Sequence, residues 1–175
     1  MSTDTPQNRF QSLLDQHRKI VFKVANTYGR TLDDRSDLAQ EISAQLWRAF
    51  PRYDASRPFS TWMYRIALNV AISFARSSGL RRARTVAWSE VEARTDRLVG
   101  QVSELDDRVV ELQRFIETLD DLNRALLLLY LDEQSYREIA EVLGISETNV
   151  ATKISRLKQR IRNEFRNADP SERSL

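Results

Sequence analysis

Apolar residues recur at helical spacing along almost the whole chain, and this periodicity constrains the fold more than any other feature of the sequence. No segment alternates convincingly between apolar and polar residues with the period of two that a half-buried strand shows. Only four glycines and four prolines interrupt the 175 residues. The sequence therefore predicts an all-α fold.

Three helices are predicted in the N-terminal half. They extend from Phe10 to Tyr28, from about Arg35 to Phe50 and from about Ser60 to Ser77. The apolar stripe of the third helix is predicted at Trp62, Ile66, Ala67, Val70 and Phe74. Gly29 offers a stop for the first helix, and Ser77-Ser78-Gly79 is predicted to break the third.

The helical pattern weakens after Leu80 and returns at Leu105. The segment between them is charged and contains Gly100, so we expect a flexible linker that is partly helical at most. The predicted architecture is two small helical domains, 8–79 and 105–167, joined by a linker at 80–104.

Composition excludes several classes of function. The chain has no cysteine and a single histidine, His17, so thiolate metal sites and Ser-His-Asp chemistry are poorly supplied. It has no GxxxxGK[ST] phosphate loop. We therefore expect no enzyme activity and no cofactor. The sequence has no run of about 18 apolar residues, so we expect no membrane insertion. The lack of cysteine fits a reducing, cytoplasmic setting.

Charge is distributed unevenly although the formal net charge is only +2. Arg76, Arg81, Arg82 and Arg84 form an acid-free basic cluster. A second basic segment carries Lys153, Arg156, Lys158, Arg160, Arg162 and Arg166. An acidic stretch, 85–124, separates them. Two basic patches indicate two contacts with a polyanion; the alternative is that these charges only solvate helix faces.

The segment from Tyr136 to Arg162 is typical of a helix-turn-helix. Ser135 and Glu138 have capping-box spacing, and Gly144 suits a turn that needs positive φ. Ser146 is predicted to cap a second helix with a basic, donor-rich outer face. Such side chains reach phosphates and base edges in a major groove. An ordinary helical hairpin with a solvated basic face is the alternative.

Aromatic and basic residues also occur together in the N-terminal half, between Arg57 and Arg76. Bases can stack on aromatic rings while arginines pair with phosphates, so this composition suits single-stranded nucleic acid. For Trp62, Met63 and Phe74 the alternative is a place in the hydrophobic core.

The motifs resemble those of a known family. Asp37-Leu38-Ala39-Gln40-Glu41, Trp47-Arg48, Asp54 and Pro58-Phe59-Ser60-Thr61-Trp62-Met63-Tyr64-Arg65-Ile66-Ala67-x-Asn69 resemble region 2 of the extracytoplasmic-function sigma factors. The segment from Leu119 to Arg162 resembles region 4 of the same family. These proteins are promoter-recognition subunits of bacterial RNA polymerase.

The resemblance implies partners and contact residues. The expected partners are core RNA polymerase, through its β′ and β subunits, promoter DNA and an anti-sigma factor. Core-binding residues on this pattern are Asp37, Gln40, Glu41 and Arg48. Residues for the −10 element are Asn69, Ser73, Arg76 and Ser77, with a loop from Tyr53 to Ser60 that captures an unpaired base. Residues for the −35 element are Arg137, Thr148, Asn149, Thr152, Lys153, Arg156 and Arg160.

The sequence departs from the family pattern at Ser73, often Asp, at Ala151, often Lys, and at Lys153, where Arg is common. A guanidinium can pair with two guanine acceptors and an ammonium usually cannot, so the resemblance implies the docking mode and no particular promoter sequence. The rival hypotheses are a stand-alone helix-turn-helix regulator and a helical interaction protein that binds no DNA.

Overall fold

The computed structural model describes residues 5–85 and 107–168, and in these ranges it contains seven α-helices and no strand. The chain divides into two compact units, Met1–Leu105 and Asp106–Leu175. The prediction of an all-α fold with two helical domains is confirmed. The predicted domain limits and the linker at 80–104 stay predictions, since residues 86–104 lie outside the described ranges.

The first unit is a three-helix bundle. Its helices are α1 (Pro6–Tyr28), α2 (Leu32–Ala49) and α3 (Phe59–Thr85), and a short 3-10 turn, Phe50–Arg52, follows α2. Each helix packs against the other two. The core is formed by Phe10, Ile20, Val21, Val24, Tyr28, Leu38, Ile42, Leu46, Met63, Tyr64, Ala67, Leu68 and Ala71. One apolar face of each helix is thereby buried, as helical periodicity requires.

The start of α2 is set by a capping box that the sequence analysis did not identify. The Thr31 hydroxyl accepts a hydrogen bond from the Asp34 amide at 3.0 Å, and the Asp34 carboxylate accepts one from the Thr31 amide at 3.2 Å. These bonds satisfy two amides that lack partners within the helix. The helix therefore begins at Leu32, three residues before the predicted start at Arg35.

The predicted break of α3 at Ser77-Ser78-Gly79 is wrong, since the helix continues to Thr85. Gly79 is exposed, and a glycine at such a position weakens a helix by about 1 kcal/mol without ending it. The predicted apolar stripe is also displaced. Of its five residues only Ala67 is buried, because the side of α3 that packs between α1 and α2 carries Met63, Tyr64, Leu68 and Ala71 instead.

The second unit contains α4 (Asp107–Glu117), α5 (Asp121–Leu131), α6 (Tyr136–Leu143) and α7 (Glu147–Ala168). Helix α7 packs against both α5 and α6. The core of the second unit is formed by Phe115, Leu119, Ala125, Leu126, Leu127, Leu129, Ile139, Ala140, Val142, Val150, Ile154 and Leu157. Leu143 on α6 and Ile161 on α7 are half-buried, whereas Phe115 and Val142 are buried.

The helix caps predicted at Ser135 and Ser146 are confirmed, and Asp120 caps the start of α5. Asp120 accepts a hydrogen bond from the Asn123 amide at 2.9 Å, and Ser146 accepts one from the Asn149 amide at 3.2 Å. Ser135 and Glu138 form the expected capping box. Gly144 ends α6 with φ of 67°, a left-handed conformation that glycine adopts at little cost. The turn between α6 and α7 is therefore encoded locally.

Candidate nucleic-acid and protein interfaces

The polar side of α2 is one continuous exposed face. Asp37, Gln40, Glu41 and Arg48 are all exposed. At about 100° per residue these four positions fall within roughly a third of the helix circumference. The buried residues Leu38, Ile42 and Leu46 anchor the other side of α2 in the core. The predicted core-binding residues are thus brought together on a rigid helix.

An apolar residue adjoins this face. Trp47 precedes Arg48 in the motif and is 44 % exposed. Its ring packs against Phe10, with 5.1 Å between the centroids, so the indole is held in place while nearly half of it faces solvent. Trp47 belongs to the sequence motif, but it was not among the predicted core-binding residues. Tryptophan and arginine are enriched in protein interfaces relative to the rest of the surface, so Trp47 and Arg48 make this face a candidate interface.

The predicted −10 residues also share one face. Asn69, Ser73, Arg76 and Ser77 are exposed and spaced four, three and one residues apart along α3. Arg65 lies one turn before Asn69 and is exposed on the same side. Arg65 was not among the predicted −10 residues, although its spacing of four residues from Asn69 places it on the same helix face. The Ser77 hydroxyl donates a hydrogen bond to the Phe74 carbonyl at 2.9 Å.

The loop that precedes α3 is closed by its own hydrogen bonds. The Tyr53 hydroxyl donates to the Arg57 carbonyl at 2.7 Å. The Asp54 carboxylate accepts the Ser56 amide at 2.9 Å, and the Asp54 carbonyl accepts the Arg57 amide at 3.1 Å. The hydrogen bond from the Ser56 amide is the main reason that the pKa of Asp54 lies below its usual value. The loop is therefore an ordered turn with an ionised carboxylate at neutral pH.

A cluster of aromatic rings supports this loop. The Tyr53 ring lies 5.2 Å from Phe59 and 5.0 Å from Trp62 between centroids, and Phe59 and Trp62 are 5.1 Å apart. Met63 is fully buried, as the core alternative predicted, whereas Trp62 and Phe74 are half-buried. The ring of Trp62 thus belongs to the underside of the loop and retains exposed surface.

The outer face of α7 presents most of the predicted −35 residues. Thr148, Asn149, Thr152, Arg156 and Arg160 are exposed, and Arg137 is exposed on α6. On the other side of α7 the fully buried Val150, Ile154 and Leu157 pack into the core of the unit. Thr148, Asn149 and Thr152 lie within the first two turns of the helix. The N-terminal end of a recognition helix is the part that usually contacts base edges.

Lys153 differs from the other predicted residues because it is half-buried. Together with Arg156 and Arg160 it lines a shallow cavity of about 150 Å³, whose remaining walls are Asn123 and Leu157. The Arg160 guanidinium lies 5.6 Å from the centre of the Phe115 ring. Three cations therefore converge on one cavity beside the start of α5, and Arg160 is additionally held by a cation–π contact.

The basic residue Lys158 has an internal partner. Its ammonium lies 4.5 Å from the centre of the Tyr130 ring. A hydrogen bond with Tyr130 raises the pKa of Lys158. The positive charge of α7 is thus divided between an outward face and a side that contacts α5.

Two negative findings apply to residues 5–85 and 107–168. No group of three or more histidine, aspartate or glutamate side chains is placed to hold a metal ion. Across the same residues, no helix has both the length and the apolar character needed to span a membrane.

Comparison with known families assigns both units. The family model "Sigma-70 region 2" matches residues 13–81, and the model "Sigma-70, region 4" matches residues 110–161. The first match includes α2, the loop and most of α3. The second includes the helix-turn-helix. Together the two matches cover well over half of the chain.

Curated relatives are similar over almost their whole length. The chain is 27 % identical to the ECF RNA polymerase sigma factor SigW of Bacillus subtilis over 169 residues, covering 91 % of this chain and 90 % of the relative. It is 29 % identical to the ECF RNA polymerase sigma-E factor of Escherichia coli K12 over 168 residues, covering 90 % and 87 % respectively.

Solved structures share the fold. The structure of CnrH in complex with the cytosolic domain of CnrY has a TM-score of 0.65 at 23 % identity, with 93 % of this chain and 90 % of that chain covered. The sigma factor RpoE of Bartonella quintana, in complex with the anti-sigma factor NepR, has a TM-score of 0.65 at 17 % identity, with 91 % and 96 % covered. With regions 2 and 4 in the same order and relatives similar throughout, the chain belongs to the extracytoplasmic-function sigma factors and directs transcription initiation.

Proposed function

We propose that this sigma factor binds core RNA polymerase through the exposed face of α2 and recognises promoters at two points. The −10 element meets the exposed face of α3 and the loop before it, and the −35 element meets the outer face of α7. The observation that carries the proposal is geometric. Apart from Arg137 on α6 and the half-buried Lys153, each predicted residue set lies on one exposed helix face, and the two faces proposed to bind DNA belong to separate compact units.

The two DNA contacts differ in kind. At −35, α7 enters the major groove of duplex DNA, where polar side chains near its start read base edges while arginines farther along meet phosphates. At −10, the loop receives a base that has left the stack. Extruding a base costs about a few kcal/mol, and contacts with the loop and with α3 offset this cost. Melting is therefore favoured at the −10 position.

Neither contact needs to be tight alone. Each unit presents only a few side chains to DNA. Core polymerase holds the two units on one promoter, so the second contact forms at high effective concentration once the first is made. Specificity then comes from the two elements together with the spacing that the polymerase imposes between them.

Regulation by an anti-sigma factor is part of the proposal. Two proteins with this fold are known in complexes, one with the cytosolic domain of CnrY and one with the anti-sigma factor NepR. We expect a comparable inhibitor to bind this chain and block its DNA or polymerase faces. Because its polymerase partner is cytoplasmic, we also place the protein in the cytoplasm, acting without catalytic activity of its own.

Promoter-directed initiation tests the proposal. Core polymerase is assayed with and without the full chain, on templates found by mapping transcription start sites after overexpression. We expect initiation at the mapped sites only when the chain is present. Equal initiation by core polymerase alone would refute the proposal.

The stand-alone helix-turn-helix regulator is not favoured, because the match to sigma region 2 occupies the N-terminal half. The two functions also differ in a simple measurement. A sigma factor retains the β and β′ subunits on an affinity column, whereas a stand-alone regulator retains promoter DNA without them.

A further inference from the structure

We propose that Tyr53 is a positioning residue for −10 recognition: it holds the base-capture loop in its receiving conformation before DNA arrives. This inference rests on the proposed −10 function. It concerns how the loop is prepared, and it assigns a role to a residue on which the resemblance placed no specific contact.

A hydrogen bond crosses the loop. The Tyr53 hydroxyl donates to the Arg57 carbonyl at 2.7 Å, and so ties the first residue of the loop to the last residue before Pro58. The bond is exposed, so it contributes little to the stability of the core. Its effect is local, because it removes alternative conformations from the loop.

The Tyr53 ring is packed against neighbouring aromatic side chains. The Tyr53 ring is in contact with Phe50, Phe59 and Trp62, with centroid distances of 6.0, 5.2 and 5.0 Å. Phe50 and Phe59 are buried. The phenol is therefore anchored to the bundle at its ring while its hydroxyl restrains the loop. A flexible loop would lose conformational freedom when DNA binds, at an entropic cost that a pre-ordered loop avoids.

The Asp54 turn closes the same loop from within. The Asp54 carboxylate accepts the Ser56 amide at 2.9 Å. Asp54 and Tyr53 thus restrain one segment by independent bonds, and both should affect base capture in the same way.

The test uses the full chain bound to core polymerase. The probe is a fluorescent fork-junction DNA that carries the −10 non-template strand of a mapped promoter. A series of probes with one abasic site at each position identifies the captured base, as the position where removing the base weakens binding to the wild type.

Tyr53→Phe keeps the ring and removes only the hydroxyl. We expect it to bind the intact probe about three- to ten-fold more weakly, the effect of one lost hydrogen bond. The probe that is abasic at the captured position should bind equally to variant and wild type. Asp54→Ala should show the same selective loss, and Asp54→Asn, which keeps an acceptor for the Ser56 amide, should recover most of it. Thr27→Val removes a hydroxyl that donates to the Lys23 carbonyl at 2.8 Å on α1, outside the proposed interfaces, and as the control it should bind like the wild type.

Two results would overturn the inference. Either the intact probe binds equally to Tyr53→Phe and to the wild type, or the intact and abasic probes weaken by the same factor, as a general destabilisation would produce. A wild type with no abasic-sensitive position would instead remove base capture, and the proposed −10 function with it.

Discussion

Two glycines of the first unit have opposite structural roles. A Cβ on Gly29 would lie 2.7 Å from the Arg35 Cγ, 2.8 Å from the Ala25 oxygen and 2.9 Å from the Arg35 Cα. Two of these atoms are backbone, so the turn between α1 and α2 would have to move. A Cβ on Gly79 would meet nothing within 4 Å.

Exchange for alanine should therefore change stability in opposite directions. Gly29→Ala is expected to lower the free energy of unfolding by about 1–3 kcal/mol, the usual cost of overpacking. Gly79→Ala is expected to raise it by up to about 1 kcal/mol, because alanine favours an exposed helix. Urea denaturation of both variants measures the two changes, and a stabilising Gly29→Ala would contradict the close approach.

Tyr64 makes the first unit sensitive to alkaline pH. Its side chain is fully buried, and burial raises its pKa to about 12. In the unfolded chain a tyrosine ionises near pH 10. The neutral phenol is thus favoured in the folded state, and this contribution is complete below pH 10 and is lost as the pH rises towards 12.

We expect the wild type to lose up to about 3 kcal/mol more stability than Tyr64→Phe between pH 10 and 12. Denaturant unfolding at several pH values gives the two slopes. A difference in stability between the wild type and Tyr64→Phe that does not vary with pH reflects packing or hydrogen bonding lost in the variant. Such a difference does not bear on the pKa of Tyr64. Parallel slopes would show that the phenol is not held neutral by burial.

At the scale of the element, α7 combines two kinds of positive residue. Arg156 is exposed and lines the cavity with Lys153 and Arg160. Arg162 is also exposed, but it lies six residues farther along α7 and is not among the predicted −35 residues. For a helix that reads DNA bases, the loss of discrimination between sequences depends on which positive residue is removed, and not only on the change in net charge.

Arg156→Ala is expected to reduce discrimination between the preferred and a mismatched −35 element by about 1–3 kcal/mol if the guanidinium contacts a base. Arg162→Ala removes the same charge from the same helix and should leave discrimination intact. Fluorescence anisotropy on both duplexes, at matched salt, measures the difference. Equal discrimination by Arg156→Ala and the wild type would remove Arg156 from the base-reading residues.

At the scale of the whole molecule, the proposed function assigns polymerase docking and DNA recognition to different helices. Glu41 is exposed on α2 and its carboxylate accepts a hydrogen bond from the Gln45 side chain at 2.7 Å. Asp15 on α1 offers a matched pair, since it accepts one from Gln11 at 3.1 Å. Both acids can be replaced by lysine with the same change of charge and a similar loss of an exposed contact.

Glu41→Lys should weaken binding to core polymerase at least several-fold while the −35 affinity of region 4 stays unchanged. Asp15→Lys should keep wild-type affinity for core polymerase. Competition between labelled wild type and each variant for a limiting amount of core enzyme measures both values. Unaltered binding by Glu41→Lys would count against α2 as the docking face.

Local signals were sufficient for much of the architecture. Helix identity follows from apolar periodicity, and the caps at Asp120, Ser135 and Ser146 depend only on residues three positions away. The left-handed turn at Gly144 is equally local. The grouping of the α2, α3 and α7 residues into faces also follows from spacing along a helix, because 3.6 residues per turn determine which side chains are neighbours.

Features that depend on packing between helices could be determined only from the tertiary structure. Periodicity placed the stripe of α3 at Trp62 and Phe74, but contact with both α1 and α2 buries Met63, Tyr64 and Ala71 instead. The half-burial of Lys153 and the contact of Arg160 with Phe115 depend on where neighbouring helices lie. The sequence alone determined the presence of the helices, the caps at Ser135 and Ser146 and the grouping of polar residues into faces, because these depend on neighbours within about four residues; it did not predict the start of α2 or the end of α3. Packing between helices determined which apolar residues are core, which cations contact aromatic rings of the protein, and how the Tyr53 ring packs beneath the loop before α3.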